Sequence, residues 1–216
     1  MAETYQTEEE QVQAIKDWWK ENGKAIIAGL IIGLGAIGGW RWWTDHQKTQ
    51  SEQASLIYAQ VIDAVARGNV ARATTDGQKI LEQYAGTPYA TLTALLLARA
   101  AVDKQDYETA AARLQWVIDQ GVDKGFRHLA RLRLARVRLQ QDQPEAALAL
   151  LGTGSVPGFD ALYSDVRGDA YRAQQKPALA AAEYRKALLD GKLNRELRSQ
   201  IEMKLNEVAA AAGDTA

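Results

Sequence analysis

At 216 residues, with 26 Lys+Arg against 27 Asp+Glu and a formal net charge of −1, the chain has room for one domain plus an appendage. It carries no charge excess that would draw nucleic acid or an acidic partner. Cysteine is absent, so neither a disulfide framework, nor thiol catalysis, nor a lipidated cysteine is expected, while an oxidising compartment stays open to it.

Residues 8–22 read as a short amphipathic helix with Val12, Ile15 and Trp19 on one side, suited to a membrane surface or a partner. Sixteen uncharged residues follow, Ala25 to Trp40, between Lys24 and Arg41. At 1.5 Å per residue they cover roughly 24 Å, short of a hydrocarbon core of about 30 Å. The flanks make up the difference: Lys24 and Arg41 can snorkel outward, and Trp18, Trp19, Trp40, Trp42 and Trp43 bracket the run as interfacial anchors. A transmembrane helix over 23–43 is therefore expected. The acids before the run (Glu3, Glu8, Glu9, Glu10, Asp17 and Glu21) argue against a cleaved signal peptide. Lys16, Lys20 and Lys24 before it, against Arg41 and Lys48 after it, favour the N-terminus inside, but weakly.

Gly33, Gly35 and Gly38 match G-x-G-x-x-G literally, yet no second strand with a ribose-binding acid follows, so a dinucleotide turn is not expected. The small residues serve close helix packing better. Ala25, Gly29, Gly33 and Ala36 share one face, opposite Ile26, Leu30, Leu34 and Ile37, and such a face suits either a homodimer or a partner subunit. Glycine is also simply common in membrane helices.

Beyond residue 50 the chain repeats. LARAAVDKQDYETAAARL (97–114), LARVRLQQDQPEAALALL (134–151) and RGDAYRAQQKPALAAAEY (167–184) align Ala110, Ala147 and Ala180. The steps of 37 and 33 residues resemble the tetratricopeptide unit of about 34. Gly168, Tyr171, Ala180, Tyr184 and Ala187 occupy that unit's alternating small and large positions. A degenerate earlier pair is expected over 52–67 and 71–85 with a Gly68-Asn69 turn. GTGSVPG (152–158) should break the helices between units. A last helix over 194–211, capped by Asn194 and striped by Leu197, Ile201, Leu205 and Val208, should close the solenoid. The expected fold is all-α: a cytoplasmic amphipathic segment (1–22), one transmembrane helix (23–43) and a tetratricopeptide-like solenoid with its capping helix (44–212).

No catalytic constellation emerges. His46 and His128 stand far apart without ligand spacing, and Ser155 does not sit in a nucleophile elbow. No cofactor or metal is expected, and the chain reads as a non-enzyme. Arg127, Arg131, Arg133, Arg136 and Arg138 point around one helix of a nearly neutral domain, so they read as a salt-bridged structural helix instead of a nucleic-acid site.

Carried over from the tetratricopeptide resemblance, the concave surface would comprise Leu92, Leu95, Arg99 and Val102, then Leu129, Leu132, Arg136 and Leu139, then Leu162, Asp165, Asp169 and Arg172. The lysine–asparagine clamp of carboxylate-binding members is missing. A leucine-lined surface with a central arginine suits an apolar helix or extended partner segment. Alternatively, a neighbouring helix of the chain itself covers those leucines.

The run EEEQVQAIKDWWKENGKAIIAGLIIGLGAIGGWRWWTDHQ, followed by SEQASLIYAQ, LRLARV and SDVRGDAY, resembles the ancillary subunits of the bacterial Sec translocon (YfgM type) over nearly the full length. The resemblance implies an inner-membrane protein with periplasmic repeats. It also implies association with SecYEG and a PpiD-type periplasmic chaperone, and help for unfolded secretory clients. Two other readings stand beside it: a scaffold of another envelope complex, and a membrane-tethered regulator of a signalling protein acting through 1–22.

Overall fold

A computed structural model describes residues 8–213, and all of its regular structure is helical. The elements run α1 (Glu8–Ala66), α2 (Val70–Gln83), α3 (Pro88–Asp103), α4 (Tyr107–Gln120), α5 (Lys124–Gln140), α6 (Pro144–Leu151), α7 (Asp160–Ala173), α8 (Pro177–Leu188) and α9 (Arg195–Gly213). Three of the four prolines open α3, α6 and α8, where the missing N–H costs no intrahelical bond. The described chain divides into two compact units, one up to Thr49 and one from Gln50 onward.

The three N-terminal helices read separately from the sequence, over 8–22, the apolar run and 52–67, are one uninterrupted helix, α1. No proline falls between residues 8 and 66. The polar stretch 44–51 contains only residues a helix accepts, and each glycine costs about 1 kcal/mol, too little to break the helix alone. The first unit's part of α1 contains the apolar run, whose best window has a mean hydropathy of 1.6 and is 6% buried. It is long and apolar enough to cross a membrane. Gly23 lies beneath the Trp19 ring, while Trp42 stacks on His46 with centroids 5.8 Å apart.

In the second unit four helix hairpins follow one another, and each turns through the same backbone device. Gly68, Gln105, Asp142 and Gln175 all adopt left-handed conformations, with φ of 71°, 61°, 56° and 57°. One residue later in each turn an N–H donates to a carbonyl five residues back: Asn69 to Ala64, Asp106 to Ala101, Gln143 to Arg138 and Lys176 to Tyr171, at 2.8–2.9 Å. This is the six-residue closure of a Schellman cap, spaced 37, 37 and 33 residues along the chain, and it marks the expected first pair as a genuine repeat. Asn69 and Asp106 then cap the next helix through Arg72 and Thr109.

Small residues set the hairpin spacing. Gly77 sits against Leu97, and Gly168 lies on the Tyr184 ring so closely that a Cβ would overlap it. Ala90, Ala94, Ala98, Ala110 and Ala130 are buried in the same core as Ile80, Leu114 and Leu134. Val61 and Ala64 of α1 join that core. At the other end α9 behaves as expected of a capping helix. Asn194 accepts from the Leu197 N–H at 2.8 Å, and Leu197, Ile201, Leu205 and Val208 pack on Ala180, Tyr184 and Ala187.

Thr91 and Thr93 are fully buried on α3, and their hydroxyls find no partner among the described residues. A buried unmatched hydroxyl costs roughly 1–3 kcal/mol, and valine matches threonine in shape. Thr91→Val and Thr93→Val should each stabilise the domain by about 1 kcal/mol, read as a raised thermal midpoint. An unchanged or lowered midpoint would show that the hydroxyls are satisfied.

Candidate functional site

The positions expected from the sequence to line a concave surface lie on α3, α5 and α7, the first helix of successive hairpins. Their exposure follows what lies next to each. On α3 Arg99 is exposed, Leu92 and Val102 are half-buried, and Leu95 is buried. On α5 Arg136 is exposed and Leu129 and Leu139 are half-buried, but Leu132 is 1% exposed, packed with Leu151 and Tyr163. On α7 Arg172 is exposed, Leu162 and Asp169 are half-buried, and Asp165 is 1% exposed.

The open surface is thus less leucine-rich than the sequence suggested, because packing between consecutive units takes Leu95 and Leu132 into the core. It also divides into two hollows. Leu95, Arg99, Val102 and Arg136 meet at a cavity of about 290 Å³, together with Arg133 and Val137. Arg136, Leu139, Asp169 and Arg172 meet at a second, of about 350 Å³, together with Gln140. Leu92, Leu129, Leu132, Leu162 and Asp165 line neither hollow.

The acids of α7 are occupied by the chain itself. Lys204 of α9 places Nζ 2.7 Å from Asp165 Oδ1 and 2.8 Å from Asp169 Oδ2. The other Asp165 oxygen faces Arg136 at 3.3 Å. Tyr184 donates its hydroxyl to Asp169 at 2.8 Å. Burial, then the Asp169 charge, push that phenol above its ordinary value, so it stays a donor. Arg172 reaches Glu207, also on α9, at 2.8 Å. The capping helix therefore pairs with the expected groove positions of α7 as well as packing on α8.

The arginine-rich face of α5 differs from the expected salt-bridged helix. Among the described residues only Arg136 of the five pairs with a carboxylate. Arg138 donates to Gln141 at 2.9 Å, Arg127 to the Gly121 carbonyl, and Arg131 to the Tyr163 hydroxyl at 3.4 Å. Arg133 has no carboxylate beside it among the described residues. Its guanidinium is held below the usual arginine value by burial of its head group, then by Arg136 and Arg99. Arg133, Gln140 and Lys204 were not singled out as groove residues from the sequence. The lone signal for Arg133 was its place three residues before Arg136.

His128 sits 2.9 Å from the Tyr163 hydroxyl and packs on Phe159. Burial, then Arg131, lower its pKa, which keeps the ring neutral. On α1, Ala25, Gly29, Gly33 and Ala36 are all exposed, and a Cβ added at Gly29, Gly33 or Gly35 would meet nothing within 4 Å.

Stacked hairpins with identical closures and a capping helix define a tetratricopeptide-like helical domain, preceded in the chain by an apolar helix. The family model for the tetratricopeptide repeat-like domain matches residues 16–210. An ancillary SecYEG translocon subunit of Escherichia coli K12 is 35% identical over 96% of this chain and 99% of its own length. Its counterpart in Haemophilus influenzae is 34% identical over 93% and 97%, and that of Neisseria gonorrhoeae 28% over the same shares. The chain belongs to this family, whose members are non-catalytic adaptors. No solved structure matches it.

Proposed function

We propose that this protein is a membrane-anchored adaptor of the Sec translocon. The observation that carries this is likeness to named ancillary SecYEG subunits along the whole length, the apolar helix included. In this reading α1 crosses the inner membrane once, the N-terminus is cytoplasmic, and the repeats stand in the periplasm. The face of Ala25, Gly29, Gly33 and Ala36 docks laterally, against the channel or a second copy, because close backbone approach substitutes for the hydrophobic drive that lipid does not provide. The concave positions Arg99, Val102, Arg136, Leu139 and Arg172 receive a partner segment. Leu92, Leu129, Leu162 and Asp169 border it, while Leu95, Leu132 and Asp165 support it from beneath. A PpiD-type periplasmic chaperone is the proposed second partner, through which unfolded secretory clients would be passed on.

The natural lack of cysteine allows a clean test of placement. Gln11→Cys and Ser155→Cys, both at exposed positions, are probed with a membrane-impermeant maleimide in intact spheroplasts. Labelling of Ser155→Cys with protection of Gln11→Cys is expected. The reverse pattern would put the repeats in the cytoplasm and sink the export role.

A further inference from the structure

We propose that the cavity between α3 and α5 binds an extended peptide segment that presents an acidic side chain flanked by apolar ones. The proposal deepens the reading of the concave face as a partner surface and rests on it. The cavity's floor is apolar, formed by Leu95, Ala98, Val102 and Val137, and three guanidinium groups, those of Arg99, Arg133 and Arg136, stand around it. Like charges gathered on one rim repel one another, and an incoming anion relieves that repulsion.

The three arginines are unequally engaged. Arg99 pairs at 2.8 Å with Asp103 one turn along its own helix, where both side chains are largely exposed; such pairs hold weakly and exchange readily. Arg136 spends one nitrogen on Asp165 at 3.3 Å. Arg133 has no carboxylate among the described residues, yet burial and its two neighbours already lower its pKa. It keeps its proton regardless, since arginine does not deprotonate in proteins. The cavity therefore holds a permanent positive charge beside apolar surface.

The same surface shows which chemistry satisfies it. One unit further on, the carboxylates of Asp165 and Asp169 draw in Lys204, and Asp165 also meets Arg136. Charge pairing with an apolar border is thus how this chain already seats one of its own helices there. The α3–α5 cavity has the opposite balance: three arginines and no carboxylate among its lining residues, Arg99 and Arg136 being paired with acids outside that lining. Size decides the form of the occupant. About 290 Å³ is at the lower limit of a ligand site, enough for one or two side chains of an extended strand, too little for the continuous apolar stripe of a helix.

The test uses the full-length chain, immobilised in detergent micelles. Three pools of capped decapeptides, random except for a central Leu-Glu-Leu, Leu-Gln-Leu or Leu-Lys-Leu, are passed over it. The Glu pool should be retained about fivefold over the Gln pool and more over the Lys pool, as expected of one new charge pair at a partly solvated site. The preference should shrink as salt rises. Arg133→Gln should abolish it with the melting temperature unchanged, and Arg99→Gln should reduce it. Equal retention of the pools, or a Glu preference that survives Arg133→Gln, overturns the proposal. So does binding of oleate without any pool, which would assign the arginines to an anionic lipid, and so does an Arg133-dependent dimer with no peptide retained. Channel association of the Arg133→Gln protein, measured separately in cells, distinguishes failure of this site from failure of the translocon reading.

Discussion

Gly168→Ala is expected to destabilise the repeat domain by about 3 kcal/mol, the upper end of what overpacking a core costs. A methyl group there would overlap three ring carbons of Tyr184. The ring has nowhere to go: Tyr184 is fully buried, and its hydroxyl is tied to Asp169, the residue after Gly168 on the same helix. Relief must come from parting α7 and α8, which would also disturb Ala180 and Ala187 at the base of the capping helix. Urea denaturation gives the number. Tyr184→Val should be destabilising alone through its cavity, yet combining it with Gly168→Ala should cost clearly less than the sum, because the clash is gone. Simple additivity would mean that Gly168 is not held by the ring.

The second large effect is expected at Lys204. Lys204→Met removes the closest cation from a carboxylate that is 1% exposed, leaving Asp165 with Arg136 at 3.3 Å. Breaking a buried pair on one side costs roughly 3–5 kcal/mol. Because Lys204 itself retains 26% side-chain exposure and Arg136 remains, about 2–3 kcal/mol is the expected loss. Neutralising the acid should rescue it. Asp165→Asn with Lys204→Met should be more stable than Lys204→Met alone, since the uncompensated charge, more than the missing contact, is what costs stability. If Lys204→Met is neutral, water reaches Asp165 and the Lys204 pairing adds nothing to the docking of α9.

Much of the architecture could be read from residue order because it rests on small side chains at fixed intervals. Ala110, Ala147 and Ala180 announce the close helix contacts directly, and Asn194 sits where a capping oxygen is needed. The turns were harder to see as a series. Only Gly68 advertises its left-handed backbone, whereas Gln105, Asp142 and Gln175 adopt it under the demands of the Schellman closure. The continuity of α1 was hidden for the opposite reason. The polar residues 44–51 separate the apolar run from the first repeat, but nothing in them stops a helix.

The concave face was the least legible part, since exposure there depends on neighbours distant in sequence. Leu132 and Leu139 hold equivalent-looking positions, yet Leu132 lies inside a core cluster with Leu151 and Tyr163 while Leu139 packs only at its margin. The link from Asp165 to Lys204 crosses 39 residues and has no local signature. Arg133 was grouped with four other arginines that find acceptors, and its lack of a carboxylate partner is visible only in three dimensions.

The adaptor role itself is tested most directly by a photo-reactive amino acid at Gly33, on the open small-residue face of α1, in growing cells. There is room for it, since nothing lies within 4 Å of a Cβ at that position. Irradiation should give adducts containing a subunit of the translocon channel, in a fraction that resists carbonate extraction. Adducts only from the same amino acid at Trp18, with none from Gly33, would contradict lateral docking on the channel and favour a cytoplasmic signalling partner, and release of the protein by carbonate would contradict the membrane anchor itself.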